Sequence, residues 1–322
     1  MLAAGARVLI IGGTRYIGRH TCLAALAAGA QVTLFNRGQS DDAWLAAYPQ
    51  VRRIYGDRHD ALALEALFAQ DYDAVYDMIA YRPESVEPML ARHAGRMGQL
   101  IVCSTTSVYA PALYQPIDED HPRGPHPAWG DYNMGKNAVE DLLATTPRVP
   151  TTVLRPQWVF GAYDYQRLAT FYLARMAAGM PIRLSHPGVA QLNWTYAPDL
   201  ARAFVAVTGL PAAAGQAYHV CCAETLTTLQ FLGLCGQVLG TEPVVRVYRP
   251  EDLPGALRGQ RIGPVRNLPL ACSADRIRAL CGFRTTPMAE ALVRTVDWLR
   301  ESGGLDAPER TPVEVYLDSA GA

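Results

Sequence analysis

A doubly wound parallel α/β sheet followed by a smaller α+β region is the fold that this 322-residue sequence predicts. Three observations predict it. Short β-branched and aliphatic runs alternate with helical stretches through the first half. Those runs are apolar on both faces, as strands must be when helices cover a parallel sheet from either side. After residue 161 the alternation loosens into scattered helices among more proline and glycine.

In order along the chain, strands are expected at 7–11, 31–35, 51–55, 74–79, 99–104 and 151–154. Between them, helices are expected at 16–28, 61–69, 84–94 and 132–144. Further helices are expected at 170–178, 198–208, 227–239, 273–281 and 287–301. Residues 254–270, with Arg258, Arg261 and Arg266 among Gly and Pro, read as a loop, either solvated or in contact with an anion. Residues 303–322 read as a loose tail. Residues 203–223 carry no charge, yet Gly209, Pro211, Gly215, Gln216 and His219 interrupt them. They therefore read as a helix end, a loop and a strand, and no membrane span is expected.

Half of the residues are apolar, 18% are charged and the net charge is −1. This composition supports a buried core and excludes disorder and collagen-like repeats. It supplies no overall attraction to nucleic acid or to an anionic membrane, so both partners are disfavoured. Seven cysteines, an odd number with no CxxC pair and no histidines at metal-ligand spacing, predict free buried thiols in a reducing cytoplasm and no metal site. The apolar run at the N-terminus stops at Gly12 and Gly13, so no signal peptide is expected.

The turn Gly12-Gly13-Thr14-Arg15-Tyr16-Ile17-Gly18 links the first strand to the first helix. Glycines fall where a tight turn and close helix packing need them, and the helix N-terminus offers N–H groups to a pyrophosphate. The second strand runs into Asn36-Arg37-Gly38, where an NAD site places an acidic residue on the ribose hydroxyls. A guanidinium there would grip a 2′-phosphate and favour NADP; the alternative is an exposed arginine in a turn. Asp57, after the third strand, is placed near an adenine amino group, with Arg58 beside it.

Of the 29 Lys+Arg residues only Lys136 is a lysine, and it follows Tyr132 by four positions. With 16 tyrosines in 322 residues, chance alone would place one there about one time in twenty. On a helix the two share a face, so an ammonium stands near a phenol. The cation favours the phenolate and lets the tyrosine exchange a proton with a substrate hydroxyl. In a chain that uses arginine almost everywhere else, a lysine here points to a need for the compact ammonium.

These residues resemble the extended short-chain dehydrogenase/reductases, the NAD-dependent epimerase/dehydratase family, over nearly the whole chain. Residues 103–109 (CSTTSVY) resemble its fifth-strand motif, which implies a triad of Thr105, Tyr132 and Lys136. Residues 116–120 (PIDED) resemble the acidic loop before the tyrosine. Residues 154–161 (LRPQWVFG) and 194–201 (WTYAPDLA) resemble the segments after it. Arg15 replaces the middle glycine of the usual GxxGxxG, a variant similar to the branch with chloroplast stem-loop-binding proteins. Thr106 and Ser107 stand where sugar 4,6-dehydratases carry Asp-Glu, which disfavours that dehydration. Trp158 occupies the position of a phosphate-binding asparagine in many epimerases.

The resemblance implies a Rossmann dinucleotide-binding domain over 1–161, with 192–210 returning to it, and a substrate-binding domain over 162–191 and 211–302. It implies hydride transfer at a secondary alcohol or ketone with NADP, or NAD. The first expected substrate is a nucleotide-activated sugar. The alternatives are a non-sugar carbonyl compound reduced with NADPH, and RNA binding without catalysis. Gly12, Thr14, Arg15, Tyr16, Ile17, Gly18, Asn36, Arg37, Asp57, Arg58, Ile79, Ala80, Tyr132 and Lys136 are the expected cofactor contacts. Thr106, Gln157, Trp158 and Asn193 are the expected substrate contacts, and a homodimer is the expected assembly.

Overall fold

A computed structural model of the chain describes residues 2–146, 148–306 and 308–320. The first half alternates as its hydrophobic pattern predicts: β1 (Arg7–Ile11), α1 (Tyr16–Ala27), β2 (Gln31–Asn36), β3 (Arg52–Tyr55), α2 (Ala61–Leu67), β4 (Ala74–Asp77), α3 (Glu87–His93), β5 (Leu100–Cys103), α4 (Gly130–Thr145) and β6 (Thr151–Pro156). The second half continues with β7 (Val159–Phe160), α5 (Leu168–Ala177), β8 (Ile182–Leu184), β9 (Gln191–Leu192), β10 (Thr195–Tyr196), α6 (Ala197–Val207) and β11 (Gln216–Val220). It ends with β12 (Leu226–Thr227), α7 (Thr228–Leu239), β13 (Val245–Val247), α8 (Asp275–Cys281), α9 (Met288–Glu301) and α10 (Pro312–Ser319).

Seven strands form one parallel sheet in the order β11-β6-β5-β4-β1-β2-β3. Every residue of β4 and β5 is buried, because helices cover both faces. Leu9, Ile11, Val75, Leu100 and Val102 point to one face, into a core with Leu64, Leu67, Leu90, Val139 and Leu143 of α2, α3 and α4. Tyr76 points to the other, where its ring meets Phe204 of α6 and its hydroxyl lies 2.7 Å from Thr208 Oγ1. Strand order reverses between β4 and β1, which opens a crevice at their carboxyl ends, the position where open α/β sheets bind ligands.

Two compact units make up the chain. The first holds Met1–Gln157, Ala197–Cys221 and Ser273–Thr285; the second holds Trp158–Tyr196, Cys222–Cys272 and Thr286–Ala322. The segment returning to the first unit is longer than expected because β11 pairs in register with β6 as the sheet's outer strand. A second return, 273–285, is invisible in the hydrophobic pattern: Ser273 N donates to Ile117 O, and Arg276 pairs with Glu119 and Asp120.

The second unit has its own core, in which Trp194 stacks on Phe231 with centroids 4.0 Å apart. The loose tail expected from residue 303 is corrected here. Thr311 and Glu314 form a reciprocal capping box at the start of α10, Val313 and Leu317 are buried, and Glu314 takes the Arg175 guanidinium at 2.7 and 2.9 Å. Only four apolar positions and a cap mark this short helix, too few for a periodic signal. All seven cysteines are unpaired and six are buried. Among the described residues no helix is long and apolar enough to cross a membrane.

Candidate active site

The turn after β1 is built for close approach. Gly12 has φ +83°, and a Cβ there would meet Ile79 Cγ2 at 2.8 Å. A Cβ on Gly18 would lie 2.3 Å from the Gly12 carbonyl oxygen, so the first turn of α1 packs directly on the loop. Gly18→Ala is therefore expected to destabilise the fold by about 1–3 kcal/mol. Chemical denaturation reads this, and an unchanged midpoint would contradict the packing. Arg15, in extended conformation, forms the N-cap of α1 without a side-chain cap bond, and no acidic residue stands in the first turn. The N–H groups and the positive end of the helix dipole thus remain suited to an anion. Thr14 is buried, and its carbonyl accepts from Trp44 Nε1 at 3.0 Å. Tyr16 is buried at φ +45°, a left-handed conformation unusual for an aromatic residue.

At the end of β2, Asn36 Oδ1 accepts from Gly38 N at 2.7 Å, while Asn36 Nδ2 is buried and has no hydrogen-bond partner among the described residues. A glycine cradle, an uncapped helix N-terminus and an unsatisfied amide donor together fit a dinucleotide. Arg37 is exposed, and so is Asp57, whose carboxylate accepts from His59 N at 2.9 Å. Arg58, expected as a cofactor contact, is also engaged within the fold. Its guanidinium is buried and forks onto Asp77, NH1 to Oδ1 at 3.0 Å and NH2 to Oδ2 at 2.6 Å. Ile79 borders the glycine turn, and Ala80 is buried behind it.

Tyr132 and Lys136 do share helix α4. Tyr132 is 44% exposed and Lys136 only 2%. Lys136 Nζ donates to the carbonyl of Cys103 at the end of β5, 2.7 Å away, and lies 4.6 Å from the centroid of the Tyr81 ring. Burial pushes this ammonium below the ordinary lysine range; Cys103, Asp77 and Glu140 oppose the shift, and Arg58 adds to it. Thr105 caps a 3-10 turn over Thr106–Val108, its Oγ1 accepting from Ser107 N at 3.1 Å, so its own proton is left to donate. Thr106 is buried in that turn.

Two asparagines missed by the sequence reading lock α4 onto this turn. Asn133 Nδ2 donates to Ser107 O and Gly124 O, and Asn137 Nδ2 to Val108 O. Their spacing at i and i+4 was the available signal, but asparagine on a helix does not distinguish a pin from a solvated face.

A buried polar network runs from α4 to the end of β5 and to β6 and β11. Glu140 accepts Ser104 Oγ at 2.5 Å and is gripped by Arg155 at 3.1 and 2.5 Å. Arg155 also donates to Tyr109 Oη, which lies 2.5 Å from His219 Nε2. Burial pushes His219 down to about 3, so it is neutral, and pushes the Glu119 carboxyl up even though it accepts from His219 N. The acidic loop before the tyrosine thus anchors β11.

Of the expected substrate residues, Gln157 is buried in the first unit. Trp158, in the second, is half-buried at φ +41° with its ring 6.3 Å from that of Trp194. Asn193 is corrected to a structural role. It is 1% exposed, its Nδ2 donates to Cys222 O, Glu224 O and Thr225 Oγ1, and its Oδ1 accepts from Cys272 N.

A parallel sheet flanked by helices, with a glycine turn leaving its first strand, defines a Rossmann-like α/β protein. The chain belongs to the NAD dependent epimerase/dehydratase family, whose model matches residues 8–221. It is 27% identical over 290 residues to the chloroplast stem-loop binding protein of 41 kDa b of Arabidopsis thaliana, across 86% of this chain and 75% of that protein. It is 25% identical over 347 residues to a dTDP-glucose 4,6-dehydratase of Streptomyces niveus, across 96% of this chain and 97% of that one. A solved dTDP-glucose 4,6-dehydratase of Bacillus anthracis in complex with NAD shares the fold, with a TM-score of 0.78 at 16% identity over 94% of this chain and 99% of that one.

Proposed function

We propose that the protein is an NAD(P)-dependent oxidoreductase of the epimerase/dehydratase type, working at a secondary alcohol or ketone of a nucleotide-activated sugar. One observation carries the reading: the chain's single lysine is buried one helical turn from an exposed tyrosine, beside a capped threonine turn. Tyr132 exchanges a proton with the substrate oxygen, Thr105 hydrogen-bonds the same oxygen, and Lys136 holds the nicotinamide ribose and favours the phenolate. The nicotinamide, when bound, supplies the hydride donor or acceptor. Thr106 and Ser107, in place of Asp-Glu, favour redox chemistry without 4,6-dehydration. The seven unpaired cysteines accord with a cytoplasmic location, and the proposed homodimer is checked by light scattering.

Absorbance of the purified protein tests the reading. A tightly held dinucleotide that is never released supports internal redox cycling on UDP- or dTDP-hexoses. Stoichiometric loss of NADPH with a ketone makes the protein a carbonyl reductase instead. RNA binding without catalysis is favoured by one observation, the identity to the stem-loop binding protein. Salt-dependent retention of a stem-loop RNA by protein that carries no dinucleotide would make that the better reading.

Arg37 supports NADP over NAD, since no carboxylate stands at the end of β2 to repel a 2′-phosphate. Arg37→Asp is expected to shift preference from NADP+ towards NAD+ by about tenfold or more, as a hydrogen bond to a charged group contributes about 1.5–3 kcal/mol. Calorimetric titration of both dinucleotides reads the shift, and an unchanged preference removes Arg37 from the cofactor site.

A further inference from the structure

The ion pair between Arg58 and Asp77 has no part in the chemistry above, yet it lies at the carboxyl edge of the sheet beside the critical ammonium. Asp77 ends β4 and is 0% exposed. Its carboxylate accepts both Arg58 terminal nitrogens, and its Oδ1 also accepts Ile79 N at 3.0 Å. On the adjacent strand Asp77 is in register with Val102, and the next residue, Cys103, offers its carbonyl to Lys136 Nζ at 2.7 Å. The Cys103 thiol, pushed up to about 11 chiefly by burial, feels the field of both Lys136 and Asp77. A buried carboxylate on β4 therefore stands next to the strand whose carbonyl holds the buried ammonium.

We propose that Asp77 and Arg58 are positioning residues that set the charge of Lys136, the carboxylate holding it protonated and the guanidinium limiting that pull. The proposal rests on the reading of Lys136 as the ammonium of the redox site. A lysine buried without a nearby anion loses its proton. A lone carboxylate on the neighbouring strand would instead be free to draw Nζ into a direct pair. The planar fork of Arg58 occupies both Asp77 oxygens, so the carboxylate acts through space while Nζ stays on the Cys103 carbonyl and over the Tyr81 ring. The other charged and titratable groups facing Lys136 are Tyr81, whose ring lies under Nζ, the Cys103 thiol from β5, and Tyr132 and Glu140 from α4 itself, Glu140 being already engaged by Arg155 from β6. Asp77 is paired with Arg58, whose positive charge opposes the pull of the carboxylate on Lys136.

The lysine count makes the test direct. Protein grown with isotope-labelled lysine shows one side-chain resonance, and its pH titration reads Lys136 without any substrate. Asp77→Asn is expected to lower the titration midpoint by about one pH unit or more, and Arg58→Met to raise it by a similar amount. The double variant Asp77→Asn/Arg58→Met is expected to return close to wild type. Both single substitutions break the same ion pair, so a purely structural role moves the midpoint in the same direction in each, or in neither. Either result overturns the proposal. Should Asp77→Asn fail to fold, a midpoint unmoved or lowered by Arg58→Met still overturns it. Saturating NAD+ and NADP+ added to the wild type test the underlying reading separately: a resonance that neither moves counts against Lys136 as a cofactor ligand and leaves the charge relation intact.

Discussion

Tyr132→Phe is expected to lower turnover by a factor of about 10²–10⁴ while dinucleotide affinity stays near wild type, the loss typical when a positioned proton donor or acceptor is removed. The substitution deletes one oxygen from a side chain that is 44% exposed in the first turn of α4. The pins that orient the helix, Asn133 and Asn137, are untouched. The assay is interconversion of UDP- and dTDP-hexoses, or NADPH oxidation with a ketone panel, alongside dinucleotide titration. Turnover within a few-fold of wild type would remove Tyr132 from the chemistry. Lys136→Arg is the companion: a fork in a pocket shaped for an ammonium on the Cys103 carbonyl is expected to lose activity comparably, and activity near wild type would sink the case for lysine chemistry.

Arg155→Met is expected to destabilise the first unit by about 3–5 kcal/mol, the cost of leaving one member of a buried ion pair without its partner. Both Arg155 and Glu140 are 4% exposed in their side chains and share two hydrogen bonds. Arg155 also holds Tyr109 Oη and Glu119 O, so its loss strands several polar groups at once. Adding Glu140→Leu to that variant is expected to recover part of the loss, since no uncompensated carboxylate then remains. Urea denaturation of the single and double variants reads this; a single variant within 1 kcal/mol of wild type would show that Arg123, 3.6 Å from Glu140, suffices as its cation.

Legibility in the sequence followed the range of each interaction. The strand at 7–11 coincides with β1, and Gly18 was marked by its spacing, because both depend on neighbours within a turn. The placing of Tyr132 and Lys136 on one helix was equally local. Arg58 and Asn193 have internal partners that the sequence did not foretell: each is polar and near a motif, and these partners lie 19 and 29 to 79 residues away. The return of segment 273–285 to the first unit, and helix α10, were missed because long-range pairs, Arg276 with Glu119 and Arg175 with Glu314, carry them.

By itself, then, the sequence determined the alternating α/β order, the glycine turn, the family and the tyrosine–lysine spacing, all of which rest on periodicity over a few residues. Tertiary structure alone decided the charge environment of Lys136. Cys103, Asp77 and Arg58 reach it from three separate segments, and because a Coulomb interaction depends on distance through space, no spacing along the chain foretells which charges a buried ammonium will meet.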